Sequence, residues 1–276
     1  MEKFGSKEQN EQQENTAAQT VNPENVANGN EETMRVKRVH NLIILDESGS
    51  MSSIYEPALT GVNETLQSIR SANEKNDQEY LVTLVTFDSE HYNAIYEDVP
   101  AEKALNITKE QYQPCACTPL YDAMGKAITR LRGKVNPEDV VLVTIITDGY
   151  ENASREYSGA AIKALVEEMR NHKWVFTYIG ANQDVDKVAD KLSIKNRMAF
   201  QATDEGTREM FASESHSREV FYSKLASCSR FDDIEKNYFI LDPPSDCLED
   251  LTSPVNQNDP KDAKNEGKKG WFRKKR

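Results

Sequence analysis

Apolar residues fall along this chain in two rhythms. Four stretches are nearly continuous: Val39–Leu45, which contains Leu42-Ile43-Ile44-Leu45; Tyr80–Phe87, YLVTLVTF; Val140–Thr147, VVLVTIIT; and Trp174–Ile179, WVFTYI. Short runs dense in β-branched and aromatic residues predict strands covered on both faces, as in a parallel sheet. His91–Val99 is more polar and follows Phe87 after a tight connection, which predicts an antiparallel edge strand. Between the runs, apolar residues recur every three or four positions. Ala58, Val62, Leu66 and Ile69 share one helical face, as do Leu120, Met124, Ala127, Ile128 and Leu131. Ile162, Leu165, Val166 and Met169 form a third stripe, and Val185, Val188, Ala189 and Leu192 a shorter fourth. A last helix is predicted over about Glu205–Ala226, anchored by Met210, Phe211, Phe221 and Leu225. The alternation predicts a doubly wound, Rossmann-like α/β sandwich of three layers. Its central sheet is mostly parallel with one antiparallel edge strand, its helices lie on both faces, and its crossovers are right-handed.

The 276 residues give room for one large α/β domain or two small ones. Residues 1–35 are rich in Glu, Gln and Asn, with almost no large apolar side chains. Such a segment cannot bury enough surface to offset its ordering entropy, so it is predicted disordered. Periodicity fades again from about Ser245, and the chain ends in KDAKNEGKKGWFRKKR. One domain is therefore placed at 36–228, followed by a largely disordered extension with a basic tail at 229–276. Net charge is -12, which argues against general nucleic-acid binding because phosphate contacts need Lys and Arg. Four cysteines, at 115, 117, 228 and 247, are too few for a disulfide-stapled fold and lack CxxC zinc spacing. No apolar run approaches the ~20 residues of a membrane span, and the N-terminus lacks the apolar core of a secretory signal. The expected compartment is a cytoplasm with reduced thiols.

In sheets of this kind, ligands bind beyond the carboxyl ends of the strands. Three polar clusters stand there. Asp46-Glu47-Ser48-Gly49-Ser50, a D-x-S-x-S pattern, follows the first strand. Thr118-Pro119-Leu120-Tyr121-Asp122 opens a helix, and Thr147-Asp148-Gly149 follows the strand ending in IIT. The candidate ligands Asp46, Ser48, Ser50, Thr118 and Asp148 offer oxygen alone, which selects hard cations: magnesium first, with manganese or calcium as alternatives. Two carboxylates roughly balance a divalent ion, and three hydroxyls leave places for water. A carboxylate from another protein can replace one such water. Taken singly, each residue has a plainer use. Asp46 can end a strand, Ser50 or Thr118-Pro119 can start a helix, and Asp148-Gly149 can form a turn.

Together these residues resemble the metal-ion-dependent adhesion site (MIDAS) of the von Willebrand factor A (VWA) family. The phrases LIILDESGSM, TPLYDA and ITDGYEN fit as well, and the resemblance covers about Arg38–Ala226. It implies that Ser48, Ser50 and Thr118 ligate the metal directly, with Asp46 and Asp148 acting mainly through bound water. It also implies a binding module rather than an enzyme, an adaptor similar to intracellular bacterial members, with a partner that presents an Asp or Glu. Family members often have Gly just before the Thr. Here the loop reads Pro114-Cys115-Ala116-Cys117-Thr118, which leaves it less φ freedom.

Glu47, Tyr55, Tyr121, Tyr150, Glu151 and Asn152 are expected near the metal face, either as a partner-binding rim or as solvated neighbours. Cys115 and Cys117 sit just before Thr118, so a redox switch is an alternative to inert loop thiols. Residues 268–276 mix cations with Trp271 and Phe272, and allow weak contact with an anionic surface. His40, His91, His172 and His216 are scattered and receive no role. The enzyme alternative is a magnesium-dependent phosphatase of the haloacid dehalogenase type. That chemistry wants a general acid two residues past the first Asp, where this chain has Ser48. Specific nucleic-acid binding finds no support, since helical repeats are absent and the charge balance is acidic, and a nucleotide-binding Rossmann reading fails because no GxGxxG follows the first strand.

Overall fold

The apolar runs pair side by side in one six-stranded sheet. The structure is a computed structural model that describes residues 36–227 and 231–239. Strand β1 (Arg38–Asp46) lies at the centre, parallel to β2 (Glu79–Phe87) on one side and to β4 (Val140–Thr147) on the other. Next to β4 come β5 (Trp174–Gly180) and the short β6 (Asn196–Ala199), both parallel. β3 (Tyr92–Pro100) runs antiparallel to β2 at the opposite edge, giving the order β3-β2-β1-β4-β5-β6. The expected α/β fold, with its single antiparallel edge strand, is the observed one.

Both faces of the sheet are covered, which is why its inner strands carry unbroken apolar runs. Because side chains alternate along a strand, Val39, Ile43 and Leu45 of β1 enter one core while Leu42 and Ile44 enter the other. The first core is closed by α1 (Tyr55–Lys75), which follows a 3-10 turn at Gly49–Ile54, and by α5 (Asp204–Ala226). These two helices pack closely: a Cβ on Gly61 would stand 2.1 Å from the Phe211 ring. The second core is closed by α2 (Leu120–Arg132), α3 (Gly159–Arg170) and α4 (Val185–Lys191). The chain leaves β1 toward β2 and later returns on β1's other side as β4. Strand order therefore reverses between β1 and β4, and a crevice opens beyond their carboxyl ends.

Two features depart from the expected layout. β6 has four residues and no apolar run, so periodicity does not announce it. The domain also continues past the expected boundary at 228. A short helix, α6 (Phe231–Lys236), and the residues after it pack on the α1/α5 core, burying Ile234 and Tyr238. Residues 1–35 and the extension from 240 on, including the basic tail, lie outside the described residues. Among the described residues, no helix is long and apolar enough to cross a membrane.

The α5 face of the sheet holds a buried polar network. Arg218, fully buried, donates to Asn41 Oδ1 of β1 (2.8 Å), to Thr144 Oγ1 of β4 (2.8 Å) and to Glu214 Oε1 (2.6 Å). Tyr222 donates to the same Asn41 oxygen at 2.6 Å, and Tyr238 donates to Glu214 Oε1 at 2.9 Å. Next to Asn41 on β1, with its side chain on the opposite face, His40 sits between Asp98 (2.6 Å) and Asp139 (3.2 Å) and ties β3 and the β4 approach to the sheet centre. A buried charge that loses its partner is costly, so Arg218→Ala should lower unfolding stability by about 3–5 kcal/mol. Urea denaturation measures this, and a midpoint equal to that of the unaltered protein would mean the network contributes nothing.

Candidate functional site

The crevice gathers the five residues singled out in the sequence. Leu45 of β1 registers with Ile146 of β4, so Asp46 and Thr147 leave the sheet side by side. Thr147 Oγ1 donates to Asp46 Oδ2 at 2.6 Å, and the backbone N–H of Ser48 donates to Asp46 Oδ1 at 2.7 Å. Ser50 Oγ donates to Asp148 Oδ1 at 2.5 Å and lies 3.2 Å from Ser48 Oγ. Thr118 arrives from the loop before α2. Its Oγ1 and Ser50 Oγ both face the open side of Gly149, where a Cβ would stand 3.8 and 3.6 Å from them. Asp46, Ser48, Thr118 and Asp148 are buried, while Ser50 is exposed and opens the cluster to solvent.

The electrostatics are unbalanced. Burial raises the Asp46 carboxyl to about 6, against the opposing hydrogen bonds from Thr147 and Ser48. Burial raises Asp148 as well, offset in part by Ser50. Asp148 Oδ2 is buried with no hydrogen-bond partner, and among the described residues no Lys or Arg is a leading influence on either acid. A buried acceptor of this kind normally finds a partner. The hydroxyls, too, are free of the plainer uses. Side chains cap α3, α4 and α5 through Ser158, Asp184 and Thr203, but no side chain caps α2 or the 3-10 turn. The first N–H groups of α2 are met from across the crevice instead: Tyr121 N donates to Glu151 Oε2 (2.9 Å) and Asp122 N to Ser154 Oγ (3.0 Å). This frees Thr118 Oγ1. An all-oxygen set of two acids and three hydroxyls, with one acid oxygen unmet, suits a hard divalent cation.

The expected rim divides in two. Glu47 is buried and accepts from Gln113 N, so it faces inward. Glu151 accepts from Tyr121 N, Ala153 N, Ser154 N and Ser154 Oγ, and therefore organises its own loop. Asn152 holds the Thr118 loop, its Oδ1 accepting from Thr118 N at 2.8 Å and its N–H donating to Thr118 O at 3.1 Å. Tyr55 and Tyr121 are half-buried, and Tyr55 stacks on Tyr112. Tyr150 is 52% exposed, which makes it the large apolar contact surface beside the crevice. In place of a glycine next to Thr118, the loop takes a left-handed residue two positions earlier, at Ala116 with φ 57, and Ala116 O accepts from Gly49 N at 3.1 Å. A β-carbon in that region costs about 1–2 kcal/mol, so the loop's contacts must hold it there.

Several residues with clear roles went unread in the sequence. Tyr112, fully buried, donates to the backbone oxygen of Asp46 at 3.0 Å and pins the end of β1. Asp122 accepts from Arg155 N, Glu156 N and Tyr157 N, clamping the loop after β4 to α2. Asp88 directly follows β2, as Asp46 and Asp148 follow or close their strands, and that placement was the available signal. It accepts from Cys115 Sγ. This bond raises the Cys115 thiol to about 11, away from the thiolate that a redox switch needs.

No model of a known protein family matches the chain, and no curated protein matches it in sequence. Solved structures with a similar chain path include a variant of the PilB minor pilin from Streptococcus sanguinis, at 12% identity and TM-score 0.48, covering 75% of this chain and 64% of the pilin. The chain thus spans under two thirds of that pilin's length. The VWA domain of SpRpn10 matches at 10% identity and TM-score 0.45, covering 65% of this chain and 95% of that domain. Manganese-loaded TRAP protein from Plasmodium vivax matches at 15% identity and TM-score 0.44, covering 64% of this chain and 72% of TRAP.

The Asp46 environment carries a pH signature in cation-free protein. Its carboxyl holds a proton to higher pH when folded than when unfolded. Its contribution to stability is therefore full below the ordinary value of 3.8 and is lost as pH rises through about 6. The gap corresponds to roughly 3 kcal/mol. In EDTA, the stability of the unaltered protein relative to Asp46→Asn should fall by about this amount between pH 4 and pH 7.5. Urea unfolding at several pH values gives the difference, and a flat one would contradict the desolvated-acid picture.

Proposed function

We propose that this chain is a divalent-cation-dependent protein-binding module of VWA type, with a MIDAS formed by Asp46, Ser48, Ser50, Thr118 and Asp148. The observation that carries this reading is the buried acid pair without a counter-charge, whose free oxygen, Asp148 Oδ2, lies beside hydroxyls not spent on helix caps. Ser48, Ser50 and Thr118 would hold the ion directly, and Asp46 and Asp148 would balance its charge, in large part through water. Bound there, a magnesium ion supplies a Lewis-acidic position for an incoming carboxylate; manganese and calcium suit the same donors. The matching partner is a protein that presents an Asp or Glu. Tyr150 offers contact area next to it, with Tyr55 and Tyr121 half-exposed nearby.

The reading is of an adaptor, not an enzyme. Asp46, where a haloacid dehalogenase phosphatase has its nucleophile, is fully buried with both oxygens engaged by Thr147 and Ser48. Such a carboxylate is poorly placed to attack phosphorus. The same reading sets the module in a reducing, cytoplasmic compartment, where thiols such as Cys115 and Cys117 stay reduced. Residues 268–276, with their cations and two aromatics, would separately give weak contact with an anionic surface.

Isothermal titration of the EDTA-stripped protein with magnesium and with manganese tests the site. One ion should bind, and Asp148→Ala or Thr118→Ala should weaken it at least about tenfold. A partner captured in magnesium should be lost in EDTA and with Asp46→Ala. Equal uptake by all variants, or a partner retained in EDTA, would overturn the proposal.

A further inference from the structure

A second group of metal-ligating side chains lies on the β2–β3 side of the crevice and shares no residue with the first. Asp88 Oδ2 accepts from His91 Nδ1 at 3.1 Å and from Cys115 Sγ at 3.2 Å, and the three atoms lie within 4.8 Å of one another. A donor from the same turn and one from a distant loop thus converge on one carboxylate oxygen. A tetrahedral centre with arms of about 2.0–2.3 Å has edges of roughly 3.3–3.8 Å. The two spacings to Asp88 Oδ2, 3.1 and 3.2 Å, are close to such an edge, and the third pair lies within 4.8 Å.

The groups are held in place from behind. Asp88 Oδ1 accepts from the N–H groups of Glu90 (2.6 Å) and His91 (2.8 Å), and Asp88 N donates to His91 O at 3.0 Å, which fixes the turn. Cys115 N donates to Glu47 O at 2.9 Å, and Cys117 N donates to Ser89 Oγ at 3.2 Å. A further observation points to a cation. Glu47 lines the same cavity as Asp88, His91 and Cys115, and its Oε2 is buried with no partner. Its carboxylate adds negative charge that no cation among the described residues meets in an ion pair. Asp88 is buried, whereas the His91 side chain is half-exposed, so an ion can enter from solvent.

We propose that Asp88, His91 and Cys115 form a site for zinc or a similar borderline transition metal, with a fourth position open in the cavity that Glu47 lines. The mixed oxygen, nitrogen and sulfur set separates this site from the all-oxygen one: thiolate and imidazole favour zinc, and magnesium favours neither. On coordination, Cys115 releases its thiol proton to solvent and the neutral His91 ring binds through Nδ1. The metal would join the β2–β3 turn to the loop that runs from Cys115 through the left-handed Ala116 to Thr118. The proposal does not depend on a magnesium site at Asp46.

Cobalt(II) is the probe, added to the reduced full-length protein. A tetrahedral visible spectrum with a thiolate-to-cobalt charge-transfer band is expected, displaced by stoichiometric zinc. A triple variant, Cys117→Ser with Cys228→Ser and Cys247→Ser, should keep the band. Cys115→Ser should abolish it, and His91→Ala should weaken cobalt binding at least about tenfold. Asp46→Ala should leave the band in place, and Cys115→Ser should leave magnesium titration unchanged, so the two sites fail separately. Circular dichroism confirms that the variants fold. No charge-transfer band in the unaltered protein, or a band that survives in Cys115→Ser, would overturn the assignment.

Discussion

Two carboxylates, Asp46 and Asp148, stand buried at adjacent strand ends where the sheet order reverses, and no basic side chain among the described residues answers them. Taking each carboxylate out of water opposes folding. The chain accepts this only because each acid is given a short donor: Thr147 and the Ser48 N–H for Asp46, Ser50 for Asp148. Much of the surrounding loop structure follows from keeping those donors in place. Tyr112 fixes the end of β1 from below, and Asn152 ties the Thr118 loop to the one after β4.

A related device recurs around the crevice: a carboxylate accepting several backbone N–H groups, from a distant stretch of chain for Asp122 and largely from its own loop for Glu151. Asp122 gathers three from residues 155–157, and Glu151 gathers three from Tyr121, Ala153 and Ser154. Burial pushes the Asp122 carboxyl up, but these three donors and nearby Lys126 outweigh it and hold it below its ordinary value. Asp122 therefore stays ionised, in contrast to Asp46, and both Asp122 and Glu151 act as loop clamps. An acidic sequence thus sorts its carboxylates into those the backbone neutralises and those left for something else.

The inner strands were legible because a sheet covered on both faces needs unbroken apolar runs, and the helices because one stripe of each faces the core. β6 was not, since four edge residues carry no period. The D-x-S-x-S, Thr118 and Asp148 clusters were legible as strand-end oxygens, because fold class alone says where strand ends meet. Which way Glu47, Glu151 and Asn152 point was not. Their orientation is decided by unpaired N–H groups on other loops, and spacing does not reveal those. Arg218 was hidden for a similar reason. A cation in the middle of a polar helix reads as solvated, and only Asn41, a polar residue inside β1, hinted at a partner within.

That buried guanidinium also limits how the molecule can move. Arg218 reaches β1 and β4 at once, through Asn41 and Thr144, near the middle of the sheet. Sliding α5 along its axis by one turn, about 5.4 Å, would drag the group off both strands into an apolar layer. The helix is therefore riveted rather than sprung. The sheet that carries the crevice at its carboxyl ends is pinned to α5 in this way, so no piston-like stroke of that helix along the sheet is available to reshape it.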